Sequence, residues 1–176
     1  MPGMVSIRQE QPADYAEVYQ LVKRSFATSS DSDGTEPDYL NEVRQQDTFI
    51  PGLSLVAEDA DGQIVGQIVL YKTTITTADH AVTELLLSPI CVHPDYFRRG
   101  IARALMEKAF GIAADMGYSA VFLCGNPDFY RKFGFRPTYE FGIFHVDDEA
   151  KTAEWSMVRV LTEGALDNIT GTISTV

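Results

Sequence analysis

Cysteine, histidine and positive charge are all scarce in this chain. Its 176 residues hold two Cys, three His and one Trp, and 14 Lys/Arg stand against 25 Asp/Glu, for a formal charge of −11. Two thiols do not make a disulfide scaffold. With an N-terminus, MPGMVSIRQEQPADY, that lacks an apolar signal segment, they point to a reducing cytoplasm. Three scattered histidines, His80, His93 and His145, form no ligand cluster, so no metal is expected. The acidic balance is the reverse of the basic footprint of a nucleic-acid binder. No apolar run approaches the roughly 20 residues of a membrane-spanning helix. Neither nucleic acid nor membrane is therefore expected as a partner.

What is present is ordinary for a folded globular chain: 45% hydrophobic and 22% charged residues, with ten Phe and eight Tyr to fill a core. The length suits a single domain over residues 1–176. Charge is unevenly spread. Residues 1–90 carry a net −9 and residues 138–176 a net −5, whereas residues 91–137 carry +3. A basic island inside an acidic protein is either local fluctuation or a built-in anion site, and the acidic remainder would steer cationic molecules inward.

The apolar spacing predicts a short strand over Val5–Arg8 and a helix from Pro12 and Asp14 through Phe26. A polar loop, Thr28–Gly34, leads to a second short helix after Pro37. Strands follow over Leu53–Glu58 and Ile64–Thr74, with Asp61-Gly62 as the hairpin turn between them. The next strand, Thr83–Val92, is interrupted by Ser88-Pro89. Ile101, Leu105, Ala109, Ala113 and Met116 mark one buried helical face, closed by Gly117. Ala120–Leu123 reads as a buried parallel strand. A short helix around Asp128–Phe133 ends at Gly134, and two more strands lie near Gly142–Val146 and Trp155–Leu161. This order predicts an α/β fold, a mixed, mostly antiparallel sheet of six to seven strands flanked by about four helices.

The segment with chemistry in it is Ile90-Cys91-Val92-His93-Pro94-Asp95-Tyr96-Phe97-Arg98-Arg99-Gly100-Ile101-Ala102-Arg103. A strand ends, a turn with two arginines follows, and a helix begins directly. A helix N-terminus has unpartnered N–H groups and a positive dipole end, and Gly100 and Ala102 leave room for a ligand to reach the backbone. That is a phosphate or pyrophosphate seat. Neither GxxxxGK[ST] nor GxGxxG is present, so it is neither a P-loop nor a dinucleotide fingerprint.

This segment resembles the pyrophosphate loop of the GCN5-related N-acetyltransferases (GNAT), Gln/Arg-x-x-Gly-x-Gly/Ala. Gly100-Ile101-Ala102 match its end. Phe97 takes the place of the leading Gln/Arg, with Arg98 and Arg99 beside it to compensate. Downstream, Asn126-Pro127-Asp128-Phe129-Tyr130-Arg131-Lys132-Phe133-Gly134-Phe135 looks like the family's closing Tyr-x-x-x-Gly-Phe. The form Gly-x-Pro-x-Tyr/Phe-Tyr-x-x-Phe-Gly-Phe is similar to a bacterial branch of acetyltransferases, as is the tail Gly164-Ala165-Leu166 with Gly171-Thr172-Ile173.

The resemblance implies a GNAT fold that binds acetyl-CoA as cosubstrate, without a metal. The backbone of Arg98, Arg99, Gly100, Ile101, Ala102 and Arg103 would hold its pyrophosphate, with arginine heads adding charge-assisted bonds. The main chain of Ile90, Cys91 and Val92 would pair with the pantetheine arm, and Asn126 would sit at a strand end that holds it. Tyr130 would protonate the leaving thiolate, the alternative being a core aromatic. Glu84, on the strand leading to the site, would deprotonate the incoming ammonium, the alternative being a solvated strand start. Asp79 and His80 have weaker claims, and Cys91 and Cys124 read as buried small hydrophobes rather than nucleophiles.

The expected reaction is direct acetyl transfer from acetyl-CoA to a primary amine in a ternary complex. The acceptor would be a small molecule or a peptide, and the acidic composition favours a cationic one such as a polyamine, an aminoglycoside or a Lys side chain. Transfer of a longer acyl group or to a hydroxyl stays open, as does a non-catalytic acyl-CoA-binding sensor or interaction module. A homodimer through a sheet edge is likewise left open.

Overall fold

The structure is a computed structural model that describes residues 5–27 and 32–174. Of the Thr28–Gly34 loop, residues 28–31 lie outside the described residues. The elements run β1 Ser6–Gln9, α1 Tyr15–Phe26, α2 Glu36–Val43, β2 Phe49–Glu58, β3 Ile64–Thr76, β4 Ala81–Val92, α3 Ile101–Asp115, β5 Ala120–Cys124, α4 Pro127–Tyr130, β6 Arg136–Pro137, β7 Ile143–His145, β8 Ser156–Val160 and β9 Gly171–Ile173. The sheet is mixed and mostly antiparallel, in the order β1-β2-β3-β4-β5-β8-β6, with β9 paired to both β3 and β7. Only β4–β5 and β7–β9 are parallel among the described pairs. The nine strands among the described residues exceed the six to seven expected. The additions, β6 and β9, have two and three residues, too short for any periodicity in sequence.

The chain forms two compact units: Met1–Tyr71 with Ser88–Ile112, and Lys72–Leu87 with Ala113–Val176. Strands β3 and β4 and helix α3 each run from one unit into the other.

In the first unit, α1 follows from its spacing. Val18, Leu21 and Val22 are buried on one face. Its start is braced by Arg8, whose guanidinium contacts Asp14 at 2.7 Å and Glu58 at 3.0 Å. That pairing holds the Asp14 carboxyl below its usual range. Helix α2 begins one residue before Pro37, which sits in its first turn, where a missing N–H costs nothing. It buries Leu40 and Val43. Just beyond it, Arg44 reaches back to Glu10 with Nη2–Oε2 2.7 Å and Nε–Oε1 3.1 Å. The β2–β3 hairpin turns at Gly62, with φ +83°, as Asp61-Gly62 indicated. Helix α3 lies close on the sheet because β3 offers Gly66 there. A Cβ on Gly66 would stand 3.1 Å from both Ile101 Cγ2 and Leu105 Cδ1.

In the second unit, β5 is buried over Ala120–Leu123 and pairs in parallel with β4 through Leu85↔Val121 and Leu86↔Phe122. On its other side it pairs with β8 from Ala120↔Val160 to Cys124↔Ser156. Ser88-Pro89 does not interrupt β4. The described pairing with β5 stops at Leu86, so the N–H that Pro89 lacks is not needed there. Met116 is not on the buried face of α3: it is 47% exposed, because the helix ends at Asp115 and Gly117, at φ +96°, turns the chain away. Gly171 meets a tertiary demand: a Cβ there would be 2.1 Å from the carbonyl oxygen of Thr76, across the β3–β9 pair.

Candidate functional site

In the first unit, the end of β4 and the start of α3 are joined by a turn with unusual backbone geometry. Arg98 has φ +64° and Gly100 φ +79°, while Arg99 between them is not left-handed. A left-handed arginine is strained by about 1–2 kcal/mol. Alternation of hand turns successive N–H groups toward one side, the pattern that makes an anion-binding concavity. At the start of α3 the Ala104 N–H donates to the Gly100 carbonyl at 3.0 Å, with the Ile101 and Ala102 amides ahead of it at the helix end. A Cβ built on Gly100 meets nothing within 4 Å, so the space over the turn is open.

The turn is anchored from below. Tyr96 donates its hydroxyl to Asp59 Oδ2 in the β2–β3 turn at 3.0 Å, and the Arg99 guanidinium lies 5.0 Å from the Tyr96 ring centroid. Pro94–Tyr96 forms a 3-10 turn capped by His93, whose Nδ1 accepts the Asp95 N–H at 3.1 Å. His93 Nε2 stands 3.0 Å from Arg24 Nη1, and the backbone N–H of His93 donates to the Val65 carbonyl at 2.7 Å. Arg98, Arg99 and Arg103 are exposed, and Phe97 is 54% exposed. The anchoring pair Tyr96–Asp59 gives no signal in sequence, since its partners are 37 residues apart.

On β4 before the turn, Cys91 is buried, and Ile90 and Val92 are partly buried. The Val92 carbonyl accepts the Ser25 hydroxyl at 3.1 Å, and Gln67 Nε2 donates to Cys91 Sγ at 3.6 Å. Burial pushes the Cys91 thiol up to about 11, so it holds its proton at neutral pH. Cys124, by contrast, is exposed, because it ends β5 as the chain leaves the sheet.

In the second unit, the chain after β5 passes through Gly125 and Asn126 into α4. Asn126 Oδ1 accepts the Asp128 N–H at 2.9 Å and so caps this short helix. Tyr130 packs edge-on to Phe129 at 4.9 Å and to Phe135 at 5.7 Å between centroids. Gly134 ends the segment at φ +85°. Among the described residues the Tyr130 hydroxyl has no hydrogen-bond partner. Burial of the ring pushes its pKa up to about 12, so the phenol stays protonated through the working range of pH. A phenol that is protonated and uncommitted is suited to give a proton away.

Gly125 shapes the surroundings of Tyr130, which its sequence neighbours do not announce. A Cβ there would lie 2.5 Å from Tyr130 Cε2 and 3.0 Å from Cδ2, so the ring rests on the bare glycine. Its only signal was its place at the head of the Gly-x-Pro form. Gly125→Ala therefore moves the Tyr130 ring. We expect kcat to fall on the order of a hundredfold, as for an ångström-scale misplacement, with the melting temperature little changed. Steady-state kinetics with thermal unfolding checks this.

Glu84 is buried in β4, not solvated. Its Oε1 accepts the N–H of Ser119 at 2.9 Å and of Ala120 at 3.1 Å, which ties the entry of β5 to β4. Burial raises its carboxyl above the usual range, while the two amides pull it back. Asp79 and His80 form an exposed pair, 2.6 Å apart, in the β3–β4 connection. Among the described residues there is no group of His, Cys, Asp and Glu suited to a metal, and no helix is long and apolar enough to cross a membrane.

Comparison with known proteins gives this geometry a context. The family model described as an acetyltransferase (GNAT) domain matches residues 6–138. The chain is 30% identical over 170 residues to the uncharacterized N-acetyltransferase YhbS of Escherichia coli K12, covering 95% of this chain and 93% of that one. The crystal structure of YhbS from Escherichia coli in complex with CoA superposes with a TM-score of 0.86 at 24% identity, over 99% of this chain and 91% of that one. A GNAT family acetyltransferase from Brucella melitensis, solved in complex with acetyl-CoA, gives a TM-score of 0.68 at 28% identity, over 76% of this chain and 84% of that one. The matched family model and the full-length relative leave one assignment: this chain belongs to the GNAT acetyltransferase family.

Proposed function

We propose that the chain, as a single N-acetyltransferase domain over residues 1–176, transfers the acetyl group of acetyl-CoA to a primary amine by direct attack in a ternary complex. The observation that carries this reading is the turn at Arg98–Gly100. Its strained alternation of hand, its open space and its place at a helix N-terminus suit a pyrophosphate. Related proteins were crystallised with CoA or acetyl-CoA, which supports the same ligand here. Backbone N–H groups of residues 98–103 take the pyrophosphate, and Arg98, Arg99 and Arg103 add charge. The main chain of Ile90–Val92 takes the pantetheine arm. In this proposal the Asn126 side chain acts through the cap of α4 more than through the ligand.

Bound acetyl-CoA supplies the acetyl group as a thioester. The neutral amine bonds through nitrogen to the acetyl carbon, the C–S bond breaks, Tyr130 gives its hydroxyl proton to the departing sulfur, and the proton that nitrogen sheds on becoming an amide passes through solvent to restore the Tyr130 hydroxyl. An N–H near Val92 polarises the carbonyl. Glu84, with one oxygen committed to two amides, serves in this reading as a positioning residue for β5 rather than as the base. The two free thiols fit a reducing cytoplasm.

Calorimetric titration of the full chain with acetyl-CoA tests the reading. We expect stoichiometric binding, weakened at least about a hundredfold by Gly100→Glu. That variant puts a side chain on a left-handed backbone and a negative charge against the pyrophosphate. Gly100→Ala, which carries the strain without the charge, should lose much less. No binding by the unaltered chain overturns the proposal and favours a non-catalytic interaction module.

A further inference from the structure

A short helical segment holds its residues only as firmly as its end is closed, because its last carbonyls lack partners within the segment. Tyr130 ends α4, and the 3-10 turn Arg131–Phe133 carries the chain on to Gly134. The closure is a Schellman turn with Gly134 at its left-handed position. The Gly134 N–H donates to the Arg131 carbonyl at 3.1 Å and the Phe135 N–H to the Tyr130 carbonyl at 3.3 Å. The edge contact between the Phe135 and Tyr130 rings is the apolar contact that accompanies such a turn. Upstream, the Tyr130 N–H donates to the Asn126 carbonyl at 3.1 Å. Both backbone groups of Tyr130 are thus engaged, and the direction of its ring follows from the turn.

A further carbonyl of this turn is claimed from the sheet. Arg159 lies on β8, opposite Val121 of β5, and its side chain is half-buried. Its Nη1 donates to the Phe133 carbonyl, next to Gly134. Gly134 records the same approach: a Cβ there would stand 3.2 Å from Arg159 Cδ and Nη1 and 3.3 Å from Cζ. A cation at a helical C-terminus also meets the negative end of the backbone dipole. The second tie on the segment is weaker. Arg131 contacts Glu154 at 2.6 Å, and Tyr139 donates to the same carboxylate at 2.9 Å, but the Arg131–Glu154 pair is exposed. Exposed pairs hold little against water.

We propose that Arg159 is a positioning residue for Tyr130: by holding the Phe133 carbonyl from β8 it keeps the Gly134 turn closed and the phenol aimed. This deepens the acetyl-transfer reading and rests on it for the statement that the phenol is the proton donor. No proton passes through Arg159. Its work is to fix the turn against the sheet, so that the ring on Gly125 has one orientation. The planar guanidinium suits this. A lysine keeps the stem and the charge but pivots about a point, and holds the carbonyl less firmly.

The test compares the full chain with Arg159→Met and Arg159→Lys, each alone and combined with Tyr130→Phe. Two quantities are read: steady-state kinetics, and hydrogen exchange at the Phe135 amide, which bonds the Tyr130 carbonyl. In Arg159→Met that amide should exchange about tenfold faster or more. Its kcat should fall about tenfold or more, with acetyl-CoA affinity within a few-fold of the parent, and Arg159→Lys should lie between. With Phe at position 130 there is no hydroxyl left to aim, so Arg159→Met should lower kcat little further. A purely structural arginine would lower kcat by the same factor in both backgrounds, and that result overturns the proposal. So does unchanged exchange at Phe135, or a kcat of Arg159→Met equal to the parent's. Should Arg159→Met not fold, Arg159→Lys carries the same comparisons with smaller effects. A Tyr130→Phe variant as active as the parent overturns the proton-donor reading instead, and exchange at Phe135 still decides whether Arg159 holds the turn.

Discussion

Tyr130→Phe should lower kcat by about two to four orders of magnitude, the usual worth of a positioned proton donor, and leave the affinity for acetyl-CoA within a few-fold of the parent. The substitution removes one oxygen. The ring keeps its edge contacts with Phe129 and Phe135 and its seat on Gly125, so the fold has no reason to change. That hydroxyl has no partner to lose among the described residues, so no buried group is orphaned by the change. The pH dependence carries a sign. A donor must be protonated, so its contribution is full below its pKa and is lost as pH rises through it. With the phenol pushed up to about 12, kcat should show no decline attributable to Tyr130 up to about pH 10, where an ordinary tyrosine would already be half ionised. A variant whose kcat stays within threefold of the parent removes Tyr130 from the chemistry.

Arg44→Met should cost about 3–5 kcal/mol of stability, which for a chain of this length lowers the melting temperature on the order of 10 °C. Arg44 and Glu10 are paired twice over, and their side chains are 5% and 2% exposed. The guanidinium also bonds Asn41 at 2.7 Å and lies 4.0 Å from the centroid of the Tyr15 ring. Methionine keeps much of the bulk but leaves the Glu10 carboxylate buried with, among the described residues, only the Ser54 hydroxyl, at 2.9 Å, on it. The loss should thus come mainly from the stranded charge. Pairing the change with Glu10→Gln should restore part of the stability, a non-additivity expected of two groups in contact. Thermal unfolding of the two single variants and the double variant measures it. A double variant as unstable as the sum of the singles would show that the two side chains act independently.

The elements of this fold were legible wherever a local rule applied. The 3.6-residue recurrence of Tyr15, Val18, Tyr19, Val22 and Phe26 marked α1, and Ile101, Leu105, Ala109 and Ala113 marked α3. Asp61-Gly62 announced the hairpin, and Gly117 and Gly134 closed the segments they were expected to close, each with positive φ. The backbone turn at Arg98–Gly100 was legible for the same reason. A strand end, two arginines, a glycine and a helical repeat are neighbours in the chain, and the geometry they impose is local.

Residue pairs brought together from a distance were not legible. Nothing near Gly125 in sequence says that a Cβ there would strike Tyr130, and nothing near Gly171 says that one would strike the Thr76 carbonyl. Glu84 could have been a solvated carboxylate or a base; amides 35 and 36 residues away claim one of its oxygens. Cys124 and Met116 have the composition of core residues, but each lies just where an element ends and the chain turns outward. Strands β6 and β9 exist because β8, β3 and β7 present edges to them. Periodicity and turn chemistry thus follow from near neighbours, since backbone sterics act over a few residues. Which buried polar atom is paired, and with what, depends on distant chain segments that only the folded chain brings within hydrogen-bond reach.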